Sequence, residues 1–343
     1  MYMFMQNEYG GINKERRKVS CTMEEKYLIA HIKQQTALAN IDNISRTHTY
    51  QEYYLRNKEI RWSFLASMVS RNSGWNMTDL AGEYYQNILS ERIRKQIFLT
   101  YESANWLIFS DAYPQLLLYE YSKKVTKPLF HLLQFFNVSI FMEKEWKDFW
   151  DKRDLNRLIT ALIINEQNKI QKPIIEHPYF QKHVFQTVLF KFQELFHFNA
   201  VIFPTTEGNL YGFSVYQFEK LQKRIELGKN LAWLLFHPEY EVLFYDFSLR
   251  TFPTGSRMDY EQYFSIPKEK DTPRLRDAFS MVLHQNSLEK DWFHQKMDIE
   301  ALFLFQEPKE EVEITEWFLQ KQHQLYIFST LNRFFKRSND FMI

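Results

Sequence analysis

Apolar residues recur every three or four positions along most of the chain from about residue 23 to 337, which is the spacing of amphipathic helices. Helices are predicted from Pro178 through 195, from Ser214 as the N-cap through 235, and over 313–336. Gly228 lies on the apolar stripe of the second, where a neighbouring element could approach closely. The pattern predicts an all-α fold, an irregular multi-helix bundle with at most one small β element near 200–213.

Breaks in this pattern suggest how the chain is organised. Residues 1–20 show no periodicity and are predicted to be a mobile N-terminal arm. Residues 21–250 form the predicted main helical domain, and the polar stretch 251–272 is a long loop and the best internal boundary. Residues 273–343 are predicted to be a C-terminal helical subdomain docked on the main body.

Composition narrows the class of protein. The chain has 343 residues, of which 60 are Phe, Tyr or Trp, 8 are Gly and 10 are Pro. This composition predicts a bulky aromatic core with few tight turns. A formal charge of +1 disfavours nucleic-acid binding. A single cysteine, Cys21, and the lack of a long apolar run or a leader pattern predict a cytoplasmic protein that does not span a membrane.

Common catalytic and nucleotide-binding motifs are missing from the sequence. It contains no Walker-type loop, no Gly-x-Gly-x-x-Gly turn, no Gly-x-Ser-x-Gly elbow and no His-Glu-x-x-His. Glu194 and His197 form one Glu-x-x-His pair, whereas a di-iron bundle needs two. We therefore expect no metal and no cofactor.

One polar residue interrupts a strong apolar stripe. Leu162 and Ile163 are followed at helical spacing by Glu166, after which the stripe returns at Ile170. Burial of Glu166 beside Asn165 would raise its pKa towards a range suited to acid/base chemistry. The alternative is a structural, hydrogen-bonded acid that ties two helices together.

Two further stretches combine an apolar stripe with polar groups. Arg71 and Asn72 follow such a stripe, with Gly74 predicted to end the helix and Asn76 or Thr78 to cap the next. An arginine near an apolar face usually has an acid or an anion as its partner.

Asp111 lies three residues before Pro114, where the helix is expected to kink or restart. It is predicted to cap the restarted helix or to pair with Arg71. In the loop, Thr254 to Arg257 could form a small anion nest or an ordinary turn.

Four stretches carry a resemblance to a known family. They are "FLASMVSRNSGWNMTDL", "ANWLIFSDAYPQLLLYE", "ALIINEQNKI" and "TGSRMDY", and their order is similar to that of the YppC-like proteins of bacilli and related bacteria. The similarity extends from about Asn43 to about Phe264. The resemblance implies a cytoplasmic bacterial protein of one conserved unit, and it implies no activity or catalytic residue.

The residues support two hypotheses of different classes. The first is a helical binding protein whose aromatic-rich groove receives a protein partner or a small anionic molecule, with Arg71, Asn72, Asp111 and Glu166 as polar anchors. Asn165 and Arg257 are further ligand-binding candidates. The second is an enzyme that acts on a small anionic substrate with Glu166 as general acid/base. They differ in whether Arg71, Asp111 and Glu166 converge around an open cavity.

Overall fold

A computed structural model describes residues 21–186, 200–265, 272–284, 290–294 and 297–340. The predicted N-terminal arm lies outside these ranges, and so do Glu194, His197 and the second half of the helix predicted from Pro178.

Helices dominate the described part of the chain. Their bounds are α1 Met23–Ala39, α2 Asn43–Arg56, α3 Arg61–Asp79, α4 Glu83–Ile88, α5 Glu91–Val125, α6 Ile140–Lys152, α7 Leu155–Ile170, α8 Pro178–Phe180, α9 Leu221–Leu235, α10 Glu241–Arg250, α11 Met258–Glu261, α12 Leu275–Ala278 and α13 Thr315–Asp340. Short 3₁₀ helices occupy Phe130–Phe136 and Glu300–Phe303, and π-helical turns at Gln171–Ile175 and Gln181–Phe185 flank α8. None of the described helices is long and apolar enough to cross a membrane.

Local capping explains where many of these helices begin. Thr22 and Glu25 form a capping box at the start of α1, which satisfies two backbone donors reciprocally. The side chains of Asp42, Ser139 and Asp154 cap α2, α6 and α7 by accepting from a backbone N–H in the first turn. These starts therefore follow from local sequence.

The one small β element is an antiparallel hairpin of β1 (Ala200–Pro204) and β2 (Leu210–Ser214), with Ala200 opposite Ser214. Gly208 turns the hairpin at a φ of 89°, and an added Cβ there would lie 2.6 Å from the Tyr263 carbonyl oxygen. The backbone N–H of Ile314 donates to the carbonyl of Leu210 and so ties the start of α13 to β2. The predicted fold class, helical with a small β element, is confirmed.

The core is organised around α7, which contacts α3, α5, α6 and α9. Its residues Ala161 to Ile164 are almost fully buried. Gly228 of α9 allows close approach here, because a Cβ at that position would lie 2.6 Å from Cγ2 of Ile163. Phe318 of α13 belongs to the same apolar cluster, so the C-terminal helix packs on the body of the protein.

Several local predictions are wrong because tertiary contacts override a local signal. Ser214 ends β2, and α9 begins at Leu221. Gly74 lies inside α3 and does not end it. It packs closely against the loop, since a Cβ added at Gly74 would lie 3.2 Å from the Cα of Gly255. Thr78 also lies inside α3 and donates to the Gly255 carbonyl at 2.6 Å, so it does not cap α4. Pro114 lies inside a continuous α5, so the helix does not restart there.

Candidate functional site

A cavity of about 230 Å³ lies in the core between α2, α3, α5, α7 and α9. Most of its wall is apolar and includes Leu65, Val69, Ile97, Ile108, Ile170 and Leu231. Cavities that bind small molecules are typically apolar with a few placed polar groups, and the polar side chains that line this one include Arg46, Tyr50, Glu166 and Arg224.

Glu166 of α7 lines the cavity, and its side chain is partly buried. The indole N–H of Trp62 donates to its Oε2 at 3.1 Å, and the Gln167 amide donates to its Oε1 at 3.1 Å. Burial raises the pKa of Glu166 to about 7, and these two hydrogen bonds oppose the rise. The carboxyl group can therefore gain or lose a proton near neutral pH.

Tyr50 of α2 lines the same cavity and is 3% exposed. Its ring packs against Trp62 and Phe109, with centroids 5.4 and 5.0 Å apart. Its hydroxyl oxygen is buried and has no hydrogen-bond partner among the described residues. Burial, and next the charge of Glu166, hold the pKa of Tyr50 well above its usual range, so the hydroxyl stays protonated. An unpaired buried hydroxyl is costly, which makes Tyr50 the most informative residue of the site.

Arg46 lies one helical turn before Tyr50 on α2 and also lines the cavity. It is 1% exposed, and its Nη2 donates to Glu102 at 2.5 Å while its Nη1 donates to Asn40 at 3.0 Å. Its Nε is buried without a partner in the described part of the chain. Two neighbouring side chains on one face of α2 thus present unsatisfied polar atoms.

Arg224 of α9 brings a second cation to the cavity and is 2% exposed. Its Nε donates to Gln167 Oε1 at 2.9 Å and its Nη1 to the Phe218 carbonyl at 2.7 Å, while its Nη2 contacts Gln171. Desolvation lowers the pKa of Arg224 to about 10, which leaves it charged. Gln167 therefore bridges Glu166 and Arg224.

Arg71 does not meet Asp111 or Glu166. It is buried and donates to the carbonyls of Thr251 and Ser248 at 2.7 and 3.0 Å and to Gln51 at 2.7 Å. The prediction of an Arg71–Asp111 pair is wrong, because the Nη1 and Nη2 groups of Arg71 donate to backbone carbonyls after and within α10 and to Gln51. Asn72 lines the cavity, and its amide donates to the Ile202 carbonyl of β1 at 2.5 Å.

Asp111 and Asn165 meet in a buried network beside the cavity. The amides of Asn165 and Gln115 donate to Asp111 Oδ2 at 2.6 and 2.7 Å, and the Trp292 indole donates to Asn165 Oδ1 at 2.9 Å. Burial raises the pKa of Asp111, an effect that the charge of Lys169 opposes. Asp111 lies inside α5 and caps no helix, so that prediction is wrong as well. The network joins α5, α7 and the segment at Trp292.

The predicted nest around Thr254 is occupied by the chain itself. The backbone N–H groups of Thr254 and Gly255 donate to Asp259 Oδ2 at 3.0 and 3.2 Å, and the Trp75 indole donates to the same oxygen at 3.0 Å. Arg257 points elsewhere and forms a bidentate pair with Asp79 at 2.5 and 2.8 Å. The loop thus does bind an anion, but the anion is its own carboxylate.

Among the polar side chains of the cavity, sequence reasoning missed Arg46, Tyr50 and Arg224. A signal existed for Arg224, because it lies at helical spacing between Leu221 and Gly228 on the apolar side of α9, as Glu166 does on α7. Tyr50 offered none, since a tyrosine on an apolar face is ordinary core. Among the described residues, no group of three or more His, Cys, Asp or Glu side chains is placed to hold a metal ion.

Fold and site together define a helical protein with a largely apolar internal cavity that holds a few charged groups. The family described as "Protein of unknown function (DUF2515)" matches residues 38–319, and the chain belongs to this family. It is 51% identical over 312 residues to the "Uncharacterized protein YppC" of Bacillus subtilis (strain 168), which covers 90% of this chain and 97% of the relative. The resemblance drawn from the four stretches is confirmed. No solved structure matches the chain.

Proposed function

We propose that this protein binds a small, mostly apolar molecule inside the cavity. The observation that carries the proposal is the buried hydroxyl of Tyr50, which lines an apolar cavity and has no partner among the described residues. Buried polar groups normally have a hydrogen-bond partner, and a bound molecule would supply one. The volume of about 230 Å³ lies just below the roughly 300 to 1,000 Å³ of typical ligand sites, which favours a small ligand over a protein segment.

Thermal unfolding with octan-1-ol as the probe tests this function. A ligand at 100 times its dissociation constant stabilises the folded state by about 2.7 kcal/mol, so we expect Tm to rise with the alcohol concentration. Ala66→Leu fills space at the cavity wall and is expected to abolish the rise. Ala37→Leu places the same side chain on the exposed side of α1 and is the matched control. An equal rise in the Ala66→Leu variant would contradict the proposal.

A second candidate function is an enzyme that acts on a small anionic substrate. It is favoured by the pKa of Glu166, which burial raises to about 7, a value suited to a general acid/base at neutral pH. Incubation with a panel of small anionic metabolites, followed by nuclear magnetic resonance, would detect turnover. We expect Glu166→Gln to fold and bind but to lose that turnover, whereas equal turnover in this variant would exclude the role.

We also infer a cytoplasmic location, which the single Cys21 supports.

A further inference from the structure

Two side chains that line the cavity, one helical turn apart on α2, each have a buried polar atom without a partner among the described residues. Nε of Arg46 and the hydroxyl of Tyr50 are both buried without a partner in the described ranges, and both side chains line the cavity. Because positions four residues apart lie on the same face of a helix, the two groups belong to one patch of α2. The Nε–H of arginine can only donate, so the group that completes this patch must be an acceptor.

The charges around the cavity also favour an anion. Glu102 at 2.5 Å neutralises Arg46. Arg224 has only neutral hydrogen-bond partners among the described residues, namely side-chain and backbone oxygens of Gln167, Gln171 and Phe218. Glu166 is the one acid among the described residues that line the cavity, and its carboxyl is already engaged by Trp62 and Gln167. Burying a cation is costly unless an anion compensates it.

We propose that the natural ligand is an amphiphilic monoanion, a carboxylate with a short aliphatic tail, whose head accepts hydrogen bonds from Arg46 and Tyr50. This inference rests on the proposed binding function. Arg224 contributes positive charge to the same cavity, and the aliphatic wall of α3, α5 and α9 receives the tail. An ammonium head would find no acceptor in the Nε–H of Arg46 and would meet the buried charge of Arg224, which disfavours it.

Isothermal titration calorimetry at pH 7 with three eight-carbon probes, octanoate, octan-1-ol and octylamine, tests the head group. We expect octanoate to bind roughly ten- to a hundredfold more tightly than octylamine. This ratio corresponds to the free energy of one hydrogen bond to a charged group. Tighter binding of octylamine would assign the polar end to a cation beside Glu166 and would overturn the inference.

Tyr50→Phe isolates the hydroxyl, because it keeps the ring and removes an oxygen that has no protein partner. We expect octanoate affinity to fall about tenfold with no loss of thermal stability. Tyr53→Phe is the matched control, since the Tyr53 hydroxyl donates to the Leu116 carbonyl at 2.8 Å and Tyr53 does not line the cavity. It is expected to lower stability and to leave octanoate affinity unchanged. Unchanged octanoate affinity in Tyr50→Phe would contradict the inference.

Arg224→Met tests the charge, and Lys223→Met removes the same charge from an exposed neighbour on α9. We expect Arg224→Met to weaken octanoate about tenfold more than octan-1-ol, and Lys223→Met to affect neither. Should Arg224→Met fail to fold, the probe comparison and Tyr50→Phe still decide. If octan-1-ol binds and Ala66→Leu blocks it while octanoate binds no more tightly, only the head-group inference fails. If none of the probes binds, the proposed function fails as well.

Discussion

Glu102→Ala is expected to lower the free energy of unfolding by about 3 to 5 kcal/mol, the usual cost of leaving a buried charge without its partner. Glu102 and Arg46 are almost fully buried, and their side chains meet at 2.5 Å. Removing the carboxylate leaves the Arg46 guanidinium with Asn40 alone among its side-chain partners. Urea unfolding at constant pH and salt measures the change.

A matched surface pair provides the control for this variant. Glu226 pairs with Lys223 at 2.8 Å on the exposed side of α9, and Glu226→Ala is expected to cost less than about 1 kcal/mol. The double variant Arg46→Met with Glu102→Leu removes both charges and should recover much of the loss, since no unpaired ion remains. A cost below about 1 kcal/mol for Glu102→Ala alone would show that Arg46 reaches water.

Glu166→Gln is expected to change the pH dependence of stability by about 3 kcal/mol. Burial raises the pKa of Glu166 from 4.5 to about 7 in the folded protein. Between these values the folded state holds a proton that the unfolded state has released, so the free energy of unfolding falls as pH rises from about 4.5 to 7. Each pKa unit corresponds to about 1.4 kcal/mol. The penalty is absent below pH 4.5 and complete above pH 7.

Glutamine at position 166 cannot ionise, so this variant lacks the penalty. The free energy of unfolding of the variant, relative to that of the parent, should therefore rise as pH rises through this window. At every pH the variant also loses about 1 kcal/mol, because its contact with Gln167 is weaker. The difference between the two unfolding curves, measured from pH 4.5 to 8, isolates Glu166 from other groups. Glu226→Gln on the surface is the control and should show little change with pH. A constant difference for Glu166→Gln would mean that water solvates its carboxyl group.

Part of the site was accessible to sequence reasoning. Glu166 stands out because an apolar stripe on both sides determines which way it points, and the same argument applies to Arg224 between Leu221 and Gly228. Arg46 and Tyr50 could not be recognised in this way. Whether a buried polar atom has a partner depends on groups such as Glu102, which lies far away in the chain.

The sequence by itself determined the helical class, the position of the small hairpin and the direction of Glu166. These features depend on spacing within one or two helical turns, where backbone hydrogen bonding and side-chain periodicity act locally. Only the tertiary structure decided that Arg71 bonds to the carbonyls of Ser248 and Thr251, that Asp259 fills the predicted nest, and that Tyr50 lacks a partner. Each of these depends on which distant donors and acceptors meet once the core has packed, and local spacing carries no information about that.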